Sequence, residues 1–504
     1  MDSTNLPIVW IEVDGKVIKR AKYISAHMKI IHNGNGKLNY ADTIEHKDQH
    51  IDYEGYIAIR YRGNTSYSVS DKKPYSFRPL DKPLNEGGEK KKVNILGMGK
   101  DNNWALLAPY SDKSLLRCVL GFEVSRPWME YTPECQFCEV FLDGIYYGVY
   151  ILTEVVSKGK HRLNLDDPGY SDDELTGGYI MEVDRTDEPT YISKYHPVDS
   201  TGHEYINRYI HFQYKSPDYE DLTEDQINYI NHRIDLMEDA LASDTYCDHE
   251  TGYRKYLDET NFIDYQIAME LGHNIDAYRL SGKFFKRRDS QDERFKMVVW
   301  DMDLAYGNSN YYKGWYTNSW IYQINNMISA NQYLVPFWWY KLNTDPEYTA
   351  HLKDRWAQYR RSNLSENNII ATIDSLANVL TSVGAEQRNS EAWPRWGVYV
   401  WPNHFIANSF EEEINYLKDW IIMRIAWMDT RLSYPPTPPS PEPITGDVNG
   451  DDEVNISDIN ILVDIILGKS YPEDILQRAD VNKDGEINIS DIMMIIDCIL
   501  KSSV

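Results

Sequence analysis

Two aspartates follow a short apolar run in the stretch "VVWDMDLAYGN", which extends from Val298 to Asn308. An apolar run bounded by a turn signal predicts a buried strand. Because Asp301 and Asp303 are two residues apart, their side chains would lie on the same face at the end of an extended strand. Neighbouring buried carboxylates repel each other and lose their hydration. The pair therefore needs a proton or a cation, and a divalent ion such as Mg²⁺ would offset both costs.

A third aspartate, Asp276, stands upstream in "GHNIDAYRL". Its carboxylate, ahead of a strand that ends in paired aspartates, is the best candidate in the chain for a general base. A second stretch, "LAPYSDKSLLR", places Asp112, Lys113 and Arg117 around a helix start. The alternative for this stretch is a helix cap with a surface ion pair.

A glycine turn in the early half offers groups that could bind phosphate. The stretch "RGNTSYSVSDKKPYSF" contains Arg62 and Gly63 and, further on, Lys72 and Lys73. Glycine turns with hydroxyls and lysines can hold phosphates, but the spacing of a P-loop is absent. An ordinary hairpin loop is the alternative interpretation.

The composition limits the classes of partner. The 504 residues carry a net charge of −26, with 78 acidic against 52 basic side chains. Such a balance argues against nucleic acid or an anionic membrane as the main partner and suits a protein with cation sites. The longest apolar runs are far below the ~20 residues of a transmembrane helix. The start has no signal-peptide pattern, and we expect a signal peptide to have been removed.

Strand patterns dominate residues 7–82 and helical patterns dominate 340–432, so the fold class predicted is α+β. The stretch "EVFLDGIYYGVY" predicts a hairpin that turns at Asp143-Gly144. Thr223 and Gln226 have the spacing of a capping box at a helix start. The stretch "SYPPTPPSPEP" predicts an extended spacer ahead of a separate small module.

The tail after this spacer is a repeat with a period of 33 residues: "DVNGDDEVNISDINILVDIIL" matches "DVNKDGEINISDIMMIIDCIL". Each copy has side-chain oxygens at loop positions 1, 3, 5, 9 and 12, a spacing that wraps a loop around calcium. A solvated acidic tail would not duplicate this spacing. The predicted ligands are Asp447, Asn449, Asp451, Asn455 and Asp458 in the first loop and Asp480, Asn482, Asp484, Asn488 and Asp491 in the second.

The two loops differ at the sixth position, which is Asp452 in the first and Gly485 in the second. That position favours a positive φ, which glycine adopts more readily than aspartate. We therefore expect the first calcium site to be the weaker one.

The loop-and-helix repeat resembles the type I dockerin module. The resemblance implies a small all-α domain with two EF-hand-like calcium loops. It further implies docking to a cohesin or another extracellular protein, within an assembly that degrades polysaccharides. The location implied is extracellular or at the cell surface.

Several motifs in fixed order resemble the CotH-type atypical kinase family: "RGNTS", "KKPYSF", "NWALLAPYSDKSLLR", "GVYILTE", "GGYIMEVDR", "NIDAY" and "VVWDMDLAYGN". The resemblance implies a diverged kinase-like α+β domain. The activity implied is phosphorylation of Ser residues in secreted proteins, with ATP and Mg²⁺ or Mn²⁺.

The resemblance also implies residue roles: Asp276 as the catalytic base, Asp301 as the Mg²⁺ ligand, and Asp303 as a second ligand. Arg62 is expected at the nucleotide. Lys73 or Lys158 is expected on the phosphates, with Glu154 as the acidic partner. The strand "GGYIMEVDR" carries Glu182 and Asp184 and has no lysine. If the nucleotide lysine belongs on that strand, the domain would be a pseudokinase.

The domains expected are a β-rich region at 1–56, a CotH-like kinase domain at 57–432, a Pro-rich linker at 433–445 and a dockerin-like domain at 446–504. The principal alternative to a kinase is a non-catalytic (pseudokinase) binding or structural module associated with extracellular polysaccharide degradation. In it the carboxylates hold a structural cation, and an aromatic surface binds carbohydrate or a partner protein. A glycoside hydrolase is a third hypothesis for the function. It would need carboxylates ~5–10 Å apart, and hence a distant glutamate as the partner of Asp301 or Asp303.

Overall fold

A computed structural model describes residues 3–434, 444–451 and 453–502. The chain divides into two compact units, Met1–Tyr434 and Pro435–Val504. The Pro-rich stretch predicted as a spacer lies, from 435 to 443, outside the described residues, and so does Asp452. None of the described helices has the length and apolar composition needed to cross a membrane.

The strands of the first unit form a closed barrel, a five-stranded sheet and two small two-stranded ribbons. The barrel order is β10-β11-β9-β6-β5-β3-β2, and the sheet order is β13-β14-β12-β15-β16. The strands are β1 Ser3–Thr4, β2 Ile8–Glu12, β3 Ile24–Ile31, β4 Asn39–Tyr40, β5 Ile51–Tyr61, β6 Tyr75–Pro79, β7 Val93–Asn94, β8 Lys100–Asp101, β9 Trp104–Leu107, β10 Cys135–Leu142, β11 Ile145–Glu154, β12 Tyr179–Val183, β13 Thr190–Ile192, β14 His211–Ser216, β15 Gly282–Lys286 and β16 Lys296–Val298.

Helices occupy the spaces between strands and most of the C-terminal half of this unit. They are α1 Thr65–Val69, α2 Arg117–Ser125, α3 Asp172–Leu175, α4 Glu224–Ala242, α5 Glu259–Gly272, α6 Asp289–Asp292, α7 Asn325–Ile328, α8 Phe337–Thr344, α9 Pro346–Arg360, α10 Glu366–Thr381, α11 Ala385–Ala392 and α12 Phe410–Arg431.

The barrel closes because a strand from the start of the chain pairs with one that comes more than a hundred residues later. Strand β2 pairs in parallel with β10, while the other neighbouring strands are antiparallel. Ile57, Ile59 and Trp104 fill the interior and are fully buried. The domain boundary expected at 56/57 falls inside β5, and the barrel takes strands from both sides of it.

Two local predictions are confirmed by the structure. Strands β10 and β11 form the expected hairpin, and Asp143 and Gly144 adopt φ values of 48° and 79° at its turn. Thr223 and Gln226 make both hydrogen bonds of the capping box at the start of α4. The α+β class is also confirmed, with a strand-rich early part and a helical later part.

Helix α5, which is buried on all sides, directly precedes the loop that contains Asp276. Almost every residue of α5 is buried, because the sheet strand β16 and the helices α9, α12 and α2 pack around it. A helix that is apolar on all sides is typical of a domain core. The loop that leaves α5 is therefore held by a rigid support.

The described residues of the second unit form the helices α13 Ile456–Ile466, α14 Glu473–Ala479 and α15 Ile489–Ser502. Helices α13 and α15 pack against each other. The two copies of the sequence repeat each supply one loop followed by one of these two helices. Val448, Leu462, Ala479, Val481 and Ile495 form the buried core.

Candidate functional site

A cleft of about 780 Å³ in the first unit collects the aspartates singled out in the sequence. Asp276, Asp301 and Asp303 all line it, and so does Arg62. These residues come from the end of β5, from the loop after α5 and from the loop after β16. Folding thus brings four residues from three distant segments of the sequence together at one site.

The paired aspartates lie beyond the strand that was expected to carry them. Strand β16 ends at Val298, and Asp301 adopts a positive φ of 61°. The prediction that alternation along a strand puts both side chains on one face is therefore wrong in its mechanism. The chain turns directly after the apolar run, and this turn places Asp301 and Asp303 in the same cleft. The apolar run itself gives no sign of the turn.

Both carboxylates are deeply placed, and among the described residues neither has an ion-pair partner. Asp301 Oδ2 accepts a hydrogen bond from Ser281 Oγ at 2.9 Å. Burial, followed by the charge of Asp276, raises the pKa of Asp301. Burial, followed by the charge of Asp301, raises the pKa of Asp303 well above its usual range. Such a pair is stabilised by a bound proton or by a cation.

The residues present fit a magnesium site of the kinase type. No group of three or more His, Cys, Asp or Glu side chains in the described chain is placed to enclose a metal ion. Magnesium in phosphoryl-transfer sites, however, needs only one or two protein carboxylates, because water and phosphate oxygens supply the other ligands. Asp301 and Asp303 are two partly buried carboxylates of this kind.

Asp276 is positioned by the loop that leaves α5. The helix ends at His273, whose φ is 43°. Asn274 Oδ1 accepts a hydrogen bond from the backbone N–H of Asp276 at 3.2 Å, and its Nδ2 donates to the carbonyl of Asp301 at 2.8 Å. One amide side chain therefore ties the Asp276 loop to the loop of the paired carboxylates.

Arg279 holds one oxygen of Asp276. Its Nη2 donates to Asp276 Oδ1 at 2.6 Å, while its Nε donates to the carbonyl of Ile275. Arg279 is buried, whereas the Asp276 side chain is 19% exposed. Within the described chain Oδ2 of Asp276 accepts no hydrogen bond, so this oxygen is free to accept a proton from a ligand.

Backbone conformations that side chains disfavour are concentrated in this region. Positive φ at a non-glycine residue is uncommon and marks turns and functional sites. The two loops that carry the aspartates contain seven such residues: His273, Tyr278, Ser281, Asp301, Tyr306, Tyr312 and Lys313.

The structure does not bring the other expected nucleotide residues into the cleft. Lys73 donates to the carbonyl of Tyr67 at 2.6 Å and does not line the cleft. Lys158 forms an ion pair with Asp167. Glu154 is fully buried, accepts hydrogen bonds from Tyr131 and from the N–H of Glu134, and lies 3.5 Å from Arg162. Motif order could not show which way these side chains point.

Two lysines that the sequence reasoning missed do line the cleft. Lys283 on β15 forms an ion pair with Glu182 on β12, and Lys215 on β14 lies 3.4 Å from the same carboxylate. Although burial opposes it, the attraction of Lys283 and Lys215 lowers the pKa of Glu182. The cross-strand register that pairs Glu182 with Lys283 depends on the sheet and leaves no local signal in the sequence.

The two loops of the second unit have nearly the same internal hydrogen bonds. In the first, Asn449 Nδ2 donates to Asp451 Oδ2 at 2.8 Å, and in the second Asn482 Nδ2 donates to Asp484 Oδ2 at 2.8 Å. Asp458 and Asp491, at position 12, are fully buried and accept backbone N–H groups across their loops. The position-12 carboxylates thus fold each loop back onto its own start, and the two copies of the repeat share this arrangement. The first-position residues are Asp447 and Asp480.

The asparagines at position 9 have a further role as helix caps. Asn455 Oδ1 accepts the N–H of Ser457 at 2.8 Å, and Asn488 Oδ1 accepts the N–H of Ser490 at 2.8 Å. A side-chain oxygen in this place satisfies a free N–H of the helix start. Gly485, at position 6 of the second loop, has a φ of 87°, as that position requires; its counterpart Asp452 lies outside the described residues.

An α+β unit with a cleft of this kind, followed by a helical unit with duplicated acidic loops, defines the class of protein. The sequence model of the CotH kinase protein family matches residues 59–428, and the chain belongs to that family. The dockerin type I domain matches residues 445–500. Both resemblances expected from the motifs are thereby confirmed. No curated protein sequence matches the chain.

Proposed function

We propose that the first unit transfers a phosphoryl group from a nucleoside triphosphate, such as ATP, to Ser hydroxyls of extracellular proteins. One observation carries this proposal: Asp276 and the pair Asp301 and Asp303, from separate loops, line one cleft in a chain of the CotH kinase family. Phosphoryl transfer needs a carboxylate near the acceptor and another on the metal, with little further chemistry from the protein.

Each aspartate has an environment suited to its proposed role. Asp276 is partly exposed, and Arg279 on Oδ1 fixes its orientation while Oδ2 stays free for the acceptor hydroxyl. Asp301 and Asp303 would hold Mg²⁺ or Mn²⁺, because they line the cleft and form no ion pair with a cationic side chain of the described residues. A divalent cation there would offset the charge on the phosphates during transfer.

The test is a comparison of two single substitutions. Asp301→Asn should weaken Mg²⁺-dependent ATP binding and abolish labelling of protein substrates, because it removes a metal ligand's charge. Asp276→Asn should leave ATP binding nearly intact and lower turnover, because its carboxylate acts mainly in the transition state. Asp354→Asn, on an exposed face of α9, is the control and should change neither quantity. Calorimetry with ATP and Mg²⁺ measures the first effect, and transfer of labelled phosphate measures the second.

A non-catalytic binding function is the second candidate. It is favoured by the ion pairs of Lys283 and Lys215 and by the position of Lys73 outside the cleft. Among the described residues, both lysines that line the cleft are thus paired with a carboxylate. In that case both aspartate substitutions would lower the melting temperature without changing nucleotide binding.

We also propose that the second unit binds two calcium ions and docks to a cohesin outside the cell. Dockerin domains generally bind calcium and are typically extracellular. Exposed apolar residues at equivalent places of the repeat support a docking surface: Ile456 and Leu467 on and after α13, and Ile489 and Leu500 on α15. Binding of immobilised cohesin domains with calcium and with a chelator tests this proposal, and calcium-independent binding would contradict it.

A further inference from the structure

Three arginines that line the cleft form no ion pair with any of the described residues. Arg60 lies on β5, Arg62 directly follows that strand, and Arg78 lies on the neighbouring strand β6. The side chains of Ile57 and Ile59 fill the barrel, so alternation directs Arg60 outward, and all three arginines line the cleft. In the register of the two strands Arg60 is opposite Ser76, and Arg78 is opposite Ala58.

None of the three guanidinium groups forms an ion pair or a side-chain hydrogen bond with any residue of the described chain. The Arg60 Nε and Arg62 Nη1 atoms are buried and have no acceptor. This is unusual in a protein with 78 acidic side chains, where carboxylates are plentiful. A buried N–H donor of a charged group without an acceptor is costly.

The guanidinium groups of these arginines lie over the faces of aromatic rings. Arg60 and Arg78 both stack on Tyr23, at 4.7 and 4.6 Å from the ring centroid, and Arg62 lies 5.5 Å from the Trp300 ring. Stacking uses the face of the guanidinium plane and leaves the N–H donors at its edge available. The arrangement orients the donors without neutralising them.

Two acidic side chains that line the cleft are already engaged elsewhere. Asp187 accepts hydrogen bonds from Asn64 Nδ2 at 2.9 Å and from Gln213 Nε2 at 2.8 Å. Glu188 pairs with Lys215 at 2.8 Å. The buried Arg60 Nε and Arg62 Nη1 donors have no acceptor among the described residues, and the anionic oxygens of a ligand would supply one.

We infer that the row Arg62, Arg60 and Arg78 binds the polyphosphate chain of a nucleotide, with the terminal phosphate at Arg62 beside Asp301. This inference rests on the proposed nucleotide site and assigns to arginines the role expected of a lysine. Two same-face residues of a strand are about 6.8 Å apart, so the row suits an extended polyanion rather than one phosphate. Guanidinium groups bind phosphate oxygens through two parallel hydrogen bonds, which favours them here.

The test measures binding to the full chain by calorimetry, with tripolyphosphate, adenosine, ADP and ATP as separate probes. Arg60→Gln and Arg78→Gln should each weaken ATP and tripolyphosphate binding roughly tenfold, because each removes a charge-assisted contact. Adenosine binding should not change. Arg361→Gln, an exposed arginine just after α9, is the control. Arg60→Lys keeps the charge without the paired donors and should give an intermediate loss.

Unchanged ATP and tripolyphosphate affinity in the Arg60→Gln, Arg78→Gln double variant, with the melting temperature retained, would overturn the inference. So would a selective loss of binding to Glu-rich or phosphoserine peptides, which would assign the row to the acceptor. If the row governs polyphosphate affinity but the wild type labels no protein, the inference stands and the kinase proposal fails. If labelling occurs and the double variant binds ATP normally, only the inference fails.

Discussion

At the scale of single residues, Asp184 gives the cleft a pH-dependent charge. Burial, followed by the charge of Glu182, raises the pKa of Asp184 from 3.8 to about 7. The folded protein thus holds this proton at pH values where the unfolded chain has released it. The stabilisation from this group is fully present below pH 3.8 and is lost as the pH rises through about 7.

Asp184→Asn should remove this pH dependence, because the amide stays neutral. As the pH rises from 4 to 7, the free energy of unfolding of the variant should increase relative to that of the wild type. Each pKa unit corresponds to about 1.4 kcal/mol, so we expect a shift on the order of a few kcal/mol. Urea unfolding of both proteins across this range measures it. Parallel pH profiles for the two proteins would show that Asp184 titrates normally.

The residues of the candidate site were predictable to the extent that the motifs carry them. The order of "NIDAY" and "VVWDMD" identified Asp276, Asp301 and Asp303, and the structure joins them in one cleft. Lys283 and Arg78 were not predicted, because their place at the cleft depends on strand pairing between distant segments. Lys73 was assigned from its motif, yet its amine turns to the carbonyl of Tyr67.

At the scale of elements, a buried ion triad joins α2 to α12. The start of α2 was a candidate for chemistry, with a helix cap and a surface ion pair as the alternative. The structure instead shows Arg117 fully buried, with its Nη1 at 2.7 Å from both Asp112 and Glu413. Arg117 Nε also donates to the carbonyl of Tyr306 at 3.4 Å, in the loop that follows Asp303. The triad therefore connects two helices to the loop that carries Asp301 and Asp303.

Arg117→Ala should destabilise the first unit by about 3–5 kcal/mol, because it leaves two carboxylates buried without a countercharge. Chemical denaturation of the full chain, followed by tryptophan fluorescence, measures the loss. Lys194→Ala is the control, since Lys194 and Asp239 form an ion pair whose side chains are about half exposed. That substitution should cost ~1 kcal/mol or less. Equal effects of the two substitutions would refute a structural role of the buried triad.

The calcium loops are elements whose geometry depends on a few oxygens. Replacing Asp480 and Asp484 with Ala removes the ligands at positions 1 and 5 of the second loop and the hydrogen bonds that they accept. Too few oxygens then remain to offset the ordering of the loop, so one of the two proposed calcium ions should be lost. Helix α15 should lose order with it.

Calorimetric titration with calcium gives the number of sites, and circular dichroism gives the helix content. Asp474→Ala, which removes an exposed acidic residue of α14 outside both loops, should keep two sites. Retention of two sites in the Asp480→Ala, Asp484→Ala variant would rule out the ligand assignment.

Elements were more predictable than the contacts between them. Local signals identified the hairpin at Asp143-Gly144 and the cap at Thr223, because turn and cap chemistry act over a few residues. The closing contact of the barrel, between β2 and β10, joins segments more than a hundred residues apart. No period or motif in the sequence encodes that pairing, and so the barrel could not be foreseen.

At the scale of the whole molecule, the two units have separate cores. The buried clusters of the first unit contain no residue of the second, and the second has its own core around Leu462 and Ile495. A unit with its own core can fold by itself. We therefore expect the chain to unfold in two transitions, of which only the one from the small unit responds to calcium.

Cleavage between residues 435 and 443 provides the test. The fragment 1–434 should melt at the same temperature as the major transition of the intact chain, because its barrel and helical cores are complete. The fragment 444–504 should melt cooperatively only with calcium, since five buried residues give it a small core and metal binding adds to its folding free energy. Differential scanning calorimetry of the intact chain and of both fragments, with calcium and with a chelator, separates these contributions. A lower melting temperature of the 1–434 fragment would show that the small unit stabilises the cleft-bearing unit, and a chelator-induced shift of the major transition would lead to the same conclusion.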